Sequence, residues 1–401
     1  MRIAADDRFQ LTYCTNVHPG GDWNHVFQNL KQFVPPLKAR FAPDRPFGIG
    51  LRLSGIDSHD LIQGDELECF VDWLQENGLY VSTLNGFPYG QFHQTVVKEF
   101  VHAPDWREDE RVAYTLRLIK ILARILPAGE EGGISTSPLS YKGWVSADDT
   151  AAWELQTQNV LKIADRLIKL KRETGQLIHL DIEPEPDGLL GDNAELIDYY
   201  QQWLLPLGVP KIAADFGVSE AEARDLLLDH IRVCFDTCHV AMGYEDPAAV
   251  LDRFDEIGIK IGKIQVSSAV RVLLEGGDRQ AMATALRPFD ESTYLHQVVQ
   301  RNDDGSLTRY TDLYKALPSI DDANAGEWRI HFHVPIFIET YESFGSTQEM
   351  IVRVLDLVKE RNFTDQLEIE TYTWDVLPPG MKRDLPTSIA REYEWVLNGF
   401  A

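Results

Sequence analysis

A chain of 401 residues, 44% of them hydrophobic, can bury a large core, and that excludes intrinsic disorder. Its formal charge of −25 repels phosphate backbones and anionic membranes, which makes nucleic acid a poor partner in the absence of a local basic groove. Four cysteines (Cys14, Cys69, Cys234 and Cys238) make no disulfide framework and read as structural thiols. No stretch reaches the roughly 18 apolar residues of a membrane span, and the first residues lack an apolar signal core, so the expectation is a soluble, cytoplasmic protein.

Strand-like and helix-like stretches alternate along the chain. Residues 11–20 read as a first strand, followed by a helix over 23–41. A second strand covers 47–55, and a helix over 60–77 stops at Gly78. The third strand, 80–90, has a Pro/Gly-rich exit and precedes a helix over 110–126. The fourth, 132–143, leads into a long helix over 148–174. Strand five is 177–183, with helices at 193–204 and 219–229. Strand six is 231–237, with a helix at 247–257, and strand seven is 259–267. Strand eight is 367–371, and the last helix spans 386–397. Eight strand–helix units predict an α/β fold of the (β/α)₈ TIM-barrel type, one domain over 1–401. About eighty residues separate strand seven from its helix at 347–361. Residues 270–328 of them are expected to form an insertion or lid, with a hairpin at 298–310 turning on Asp304-Gly305.

Within the strands, polar residues recur at every second position. A phase that turns Glu183 into the barrel also turns in His179 and Asp181. It further turns in Lys263, Gln265 and Ser267, then Glu368 and Glu370, then Arg52 and Ser54. The inverted phase gains little, because helices cover the outer face of a barrel strand and charges there would not reach water. Buried charge persists only when it is paired or metal-bound. Carboxylates and imidazoles at strand ends suit a divalent ion, Mn, Zn, Mg or Fe, of number and identity left open. The candidate metal ligands are Glu183, Asp236, Gln265, His331, His333 and Glu370, and the candidate catalytic residues are Glu183, Glu370 and His239. His18, Asn85, Tyr89, His93 and Lys142 stand at strand exits as candidate substrate-binding residues, although His18 reads equally as a turn cap. Asn16 and Phe87 share those exits. His296, on the insertion, either reaches the site from a lid or is a solvated loop residue.

Glu183 in DIEPEP, Asp236 and His239 in FDTCH, and Glu370 in EIETY resemble the metal-site pattern of the xylose isomerase-like barrels. That superfamily includes sugar-phosphate isomerases and epimerases and the apurinic-endonuclease barrels. The resemblance implies a metal held by Glu183, Asp236 and Glu370, with the two glutamates as acid and base around an enediolate. At strand seven, where many relatives have a histidine, this chain has Gln265. Either Gln265 binds through its carbonyl or a histidine of HFHVP takes its place. The segments YCTNVHPGGDW, LNGFPYGQFH, FDTCHVA and HFHVPIF are similar to the EboE family of metabolite-traffic proteins. That likeness implies a small polar metabolite and a membrane-protein partner. Three functions follow as expectations: a sugar or hydroxy-carbonyl isomerase/epimerase, a metal-dependent phosphoester hydrolase of the endonuclease branch, or a barrel that binds and hands over a metabolite.

Overall fold

The computed structural model describes residues 1–91, 96–341, 343–375, 377 and 384–400. Eight parallel strands make a barrel: β1 (Phe9–Tyr13), β2 (Phe47–Arg52), β3 (Leu79–Asn85), β4 (Gly132–Thr136), β5 (Ile178–Ile182), β6 (Ile231–Asp236), β7 (Ile261–Val266) and β8 (Gln366–Ile369). Each ladder joins neighbours in sequence, and β8 returns to pair with β1. The ring closes between β1 and β2 through one parallel bridge, Cys14 to Gly50, backed by the Arg52 amide donating to Thr15 Oγ1 at 2.9 Å. The protein is a (β/α)₈ barrel.

The interior is polar where barrels are ordinarily filled by branched aliphatics. The Lys263 ammonium, with no side-chain exposure, donates to Glu368 Oε1 at 2.7 Å. Thr83 Oγ1 donates to the other Glu368 oxygen at 2.5 Å. His179 and Asp181 pair at 2.5 Å, equally buried. Glycines on facing strands make the room. A Cβ on Gly50 would fall inside the Glu368 carboxylate, and one on Gly262 inside that of Asp181. The outward partners, among them Leu180, Ile182, Ile264 and Val266, join the hydrophobic core under the helices. Arg52 and Ser54, expected inward, work at the rim instead. Arg52 donates to the Pro88 and Gly90 carbonyls and holds the β3 exit. Ser54 and Asp57 form a capping box that starts a helix.

That box accounts for one departure from the expected elements. The helix expected over 60–77 is two, Gly55–Leu61 and Glu66–Glu76, parted at Gly64, whose φ of +56° suits a residue without a side chain. A second departure follows Asn193–Tyr199, where the helix continues through a π-helical turn into Leu205–Phe216. Pro206 comes just after that turn, and because it has no N–H it closes no hydrogen bond back into it, which is where a helix changes its register.

The chain after β7 forms a second, antiparallel sheet. Its order is Leu307–Tyr310, Val298–Asn302, Ala325–Ile330, Val270–Leu273 and Gly345–Ser346. The expected hairpin is the pair Val298–Asn302 and Leu307–Tyr310, with Gly305 at φ +84° in its turn. Among the described residues no helix is long and apolar enough to cross a membrane.

The packing of glycine against buried charge yields a test. Gly50→Ala forces the Glu368 carboxylate off Lys263 and Thr83, and it should cost roughly 3 kcal/mol in urea unfolding. Gly64→Ala, in open space, is the control for backbone strain alone; a Gly50 variant no worse than it would refute the close packing.

Candidate metal centre

Four barrel strands deliver side chains to the carboxyl-terminal mouth. Glu183 follows β5, Asp236 ends β6, Gln265 lies on β7 and Glu370 follows β8. One carboxylate oxygen from each of Glu183, Asp236 and Glu370 lies within 4.8 Å of the others, and all three residues are buried.

Asp236 divides its work between its two oxygens. Oδ1 caps the helix Thr237–Met242, accepting from Cys238 N at 2.7 Å and His239 N at 3.2 Å, and it also takes the Ser267 hydroxyl at 2.5 Å. Oδ2 has no hydrogen bond and stands 4.0 Å from both His239 Nε2 and His333 Nε2. Glu370 Oε1 accepts amide N–H groups from Asn16 at 2.8 Å and Asn85 at 3.1 Å. Glu183 Oε2 has no hydrogen bond, and neither end of the buried Gln265 amide has one.

Burial and the surrounding acids set the ionisation. Desolvation first, then Asp236, pushes Glu183 well above the usual carboxylate range. Desolvation, then Glu183 and Asp236, does the same to Glu370. Burial also works against the Asp236 carboxylate, but His239, His333 and its hydrogen bonds hold it low. Three carboxyls this close cannot all ionise on their own; a divalent cation supplies the charge that lets them. Orphaned oxygens, the orphaned Gln265 amide and the donor chemistry all fit such an ion.

Three imidazoles flank the carboxylates. His239 arises one turn into the helix after β6. His331 and His333 come from the return of the insertion, with ring centroids 5.4 Å apart. Each gives its Nδ1 to a fixed oxygen: His239 to Pro184 O at 2.8 Å, His331 to Gln297 Oε1 at 2.7 Å and His333 to Glu370 O at 2.9 Å. Burial lowers the basicity of all three, and that of His333 to about 4.

Glu183, Glu370 and the three imidazoles line a cavity of about 50 Å³. Its walls are Asn85, Phe87 and Tyr372, and its roof comes from two distant segments, residues 97–101 and 294–295. The amides of Val97 and Lys98 both donate to Thr293 O, and Lys98 Nζ donates to Asp312 at 2.6 Å.

Of the described candidate substrate-binding residues, Asn85 alone is brought to this cavity. Lys142 is exposed and pairs with Glu195 at 2.6 Å. Tyr89 donates to Glu110 at 2.8 Å and packs edge-on against Tyr114, away from the mouth. His18 is bonded to the Tyr13 hydroxyl at 3.0 Å and stacks on Phe33. His93 lies outside the described residues. His296 is a buried buttress of the insertion, giving Nδ1 to His331 O and Nε2 to Glu291. Glu185 and His102 were not singled out in the sequence, yet both are buried beside the imidazoles, 3.9 Å apart. For Glu185 the signal was available: it continues the alternation of His179, Asp181 and Glu183 by one more step.

A (β/α)₈ barrel with carboxylates and imidazoles converging at the carboxyl ends of its strands is the class of molecule that fold and site define. No family model matches the chain, and no curated protein matches it. Among solved structures it is similar to the IolI protein with a bound zinc atom, at 10% identity over 98% of this chain and 99% of that one, TM-score 0.45. It is similar to SacUVDE at 12% identity over 98% and 99% of the two chains, TM-score 0.40. It is also similar to a protein described as a sugar phosphate isomerase/epimerase from Anabaena variabilis, at 12% identity over 88% and 98%, TM-score 0.40. The barrel assignment stands on the strand register and closure.

Beyond Glu370, Thr371 donates to the buried Glu392 at 2.6 Å. Burial pushes the Glu392 carboxyl up to about 8 against an ordinary 4.5. Between those values the unfolded chain releases a proton that the folded chain keeps. Stability therefore falls as pH rises through that window, by up to roughly 1.4 kcal/mol per unit. Glu392→Gln should remove this slope, so its advantage over the wild type grows from pH 5 to 8 in denaturant melts. Parallel pH profiles would refute a neutral, buried Glu392.

Proposed function

We propose that the protein is a metal-dependent isomerase or epimerase of a small hydroxy-carbonyl metabolite, of the xylose isomerase-like kind. The observation that carries this reading is the convergence of the buried Glu183, Asp236 and Glu370 carboxylates at the barrel mouth. Glu183, Asp236 and Glu370, with the Gln265 carbonyl, are the groups that would hold a divalent cation. When bound, such a cation supplies Lewis acidity to adjacent substrate oxygens.

The two glutamates then divide acid–base work by environment. Two asparagine amides stabilise charge on Glu370, which suits it to remove the proton from the carbon beside the carbonyl. Glu183 lacks a hydrogen bond at Oε2 and sits among other acids, which suits it to return a proton. His239, its Nδ1 fixed on Pro184, faces the same space with Nε2. A cavity of about 50 Å³ has room for a few waters only. A carbon substrate would take the place of those waters, between Asn85, Phe87 and Tyr372. The EboE likeness of four segments fits a barrel that processes a small polar metabolite and passes it to a membrane-protein partner.

A second reading, metal-dependent hydrolysis of a small phosphoester, is favoured by the three histidines. Incubation of metal-loaded protein with short ketoses and hydroxy-ketones in D₂O separates the two. Proton transfer predicts deuterium at the carbon beside the carbonyl. Glu183→Gln and Glu370→Gln should each lower the rate about 10²–10⁴-fold with the fold intact by circular dichroism. Phosphate release from small esters, without deuterium incorporation, would favour hydrolysis instead.

A further inference from the structure

The cavity has two unlike sides. On one stand the acids and imidazoles, and polar atoms without hydrogen bonds gather there: Glu183 Oε2, Glu185 Oε2 and His333 Nε2. The facing wall and roof are made of Phe87, Val97, Val101 and Leu295, whose side chains carry neither donor nor acceptor. Tyr294 and Tyr372 join them, their rings packed edge to face with centroids 5.3 Å apart, against Val97 and Val101. The backbone amides of Val97 and Lys98 are already given to Thr293 O.

Charge divides the cavity in the same sense. Lys98 is the one lysine or arginine among the described lining residues, and its Nζ is turned to Asp312 at 2.6 Å and the Glu291 carbonyl at 3.5 Å. A phosphate under the roof would find no unpaired cation and would face Glu183, Glu185 and Glu370. A hydroxyl there would leave water without gaining a hydrogen bond, which costs free energy that a methyl group does not. Room for a few waters limits the substrate to about three or four carbons. Two of them carry the oxygens of the hydroxy-carbonyl unit, and the rest meet the apolar wall.

We propose that the substrate is an uncharged hydroxy-carbonyl compound of about three or four carbons whose far end is deoxygenated. Its hydroxy-carbonyl unit lies on the acids, and its methyl or ethyl end lies against Phe87, Val97 and Leu295. This rests on the proton-transfer reading above. For a 2-hydroxyaldehyde, the proton leaves the carbon that bears the hydroxyl and one returns to the former carbonyl carbon. The hydroxyl proton passes to the former carbonyl oxygen, so the product is a 1-hydroxy-2-ketone and no redox partner is needed. Sugar phosphates and longer polyols are rejected by the same wall.

The test uses three ligands that differ at one end only: hydroxyacetone, dihydroxyacetone and dihydroxyacetone phosphate. Binding to metal-loaded full-length protein is read by ligand-observed NMR titration, and deuterium incorporation in D₂O is read separately. Hydroxyacetone should bind roughly 10–10²-fold tighter than dihydroxyacetone, the usual range for one added hydroxyl in an apolar pocket, and the phosphate should not compete with it. Val97→Thr, which adds a hydroxyl to the wall at nearly constant shape, should narrow that ratio. Dihydroxyacetone or its phosphate binding as tightly as hydroxyacetone overturns the inference, and so does a failure of all three to bind. A folded Val97→Thr with an unchanged ratio overturns the placing of the far end; if that variant does not fold, the wild-type ratio decides. Preferential binding of hydroxyacetone without deuterium incorporation supports the ligand class and sinks the proton-transfer reading alone.

Discussion

A carboxylate taken out of water has to be compensated, and this barrel takes many of them out. Everything in its interior follows from that constraint. Low in the barrel the compensation is internal. Glu368 has Lys263 and Thr83, and Asp181 has His179. Glycines on the opposing strands are what permit those pairs, because charged side chains with their partners take more room than one layer of valines. At the mouth internal compensation stops. Glu183, Asp236, Glu185 and Gln265 each keep at least one polar atom without a partner. Asp181 Oδ2, lower in the barrel, also lacks one, but only at the mouth do such atoms gather on converging acids from several strands, and that locates the site without reference to any relative.

The sequence carried much of this because a strand alternates with a period of two, so one assignment of phase turns whole sets of residues together. By that reading Glu183, Asp236 and Glu370 stand at strand ends, and their carboxylates lie within 4.8 Å of one another, while His331 and His333 arrive from the return of the insertion. The rule failed where backbone geometry stopped being that of a strand. Arg52 is the last residue of β2 and Ser54 caps the helix that follows, so both serve the rim. Lys142 and Tyr89 stand at strand exits too, but loops carry them onto Glu195 and Glu110. An exit position says that a residue is near the mouth, not which way its loop turns.

Glu185 shows the opposite failure. Two prolines keep DIEPEP extended past the last ladder bond of β5, so the alternation persists beyond the strand. The insertion contributes in a manner no local pattern records. Gln297 and His296 fix His331 from both its side chain and its carbonyl. These contacts join residues 34 and 35 positions apart through the pairing of Val298–Asn302 with Ala325–Ile330. A histidine read as a loop residue is in this way part of the scaffold of the centre.

The closure of the ring has its own consequence. Seven of the eight strand junctions are multi-residue ladders, whereas β1 and β2 share the single Cys14–Gly50 bridge. Gly50 is also the residue that must stay small for Glu368, which leaves that stretch of β2 without a side chain to stiffen it. The junction is accordingly the weakest cooperative unit of the barrel wall, where amide protons should exchange earliest. Asn16 follows directly on β1 and holds Glu370. The seam in the wall and a carboxylate of the centre are therefore joined by one hydrogen bond, so the loosest junction of the ring adjoins its most charged end.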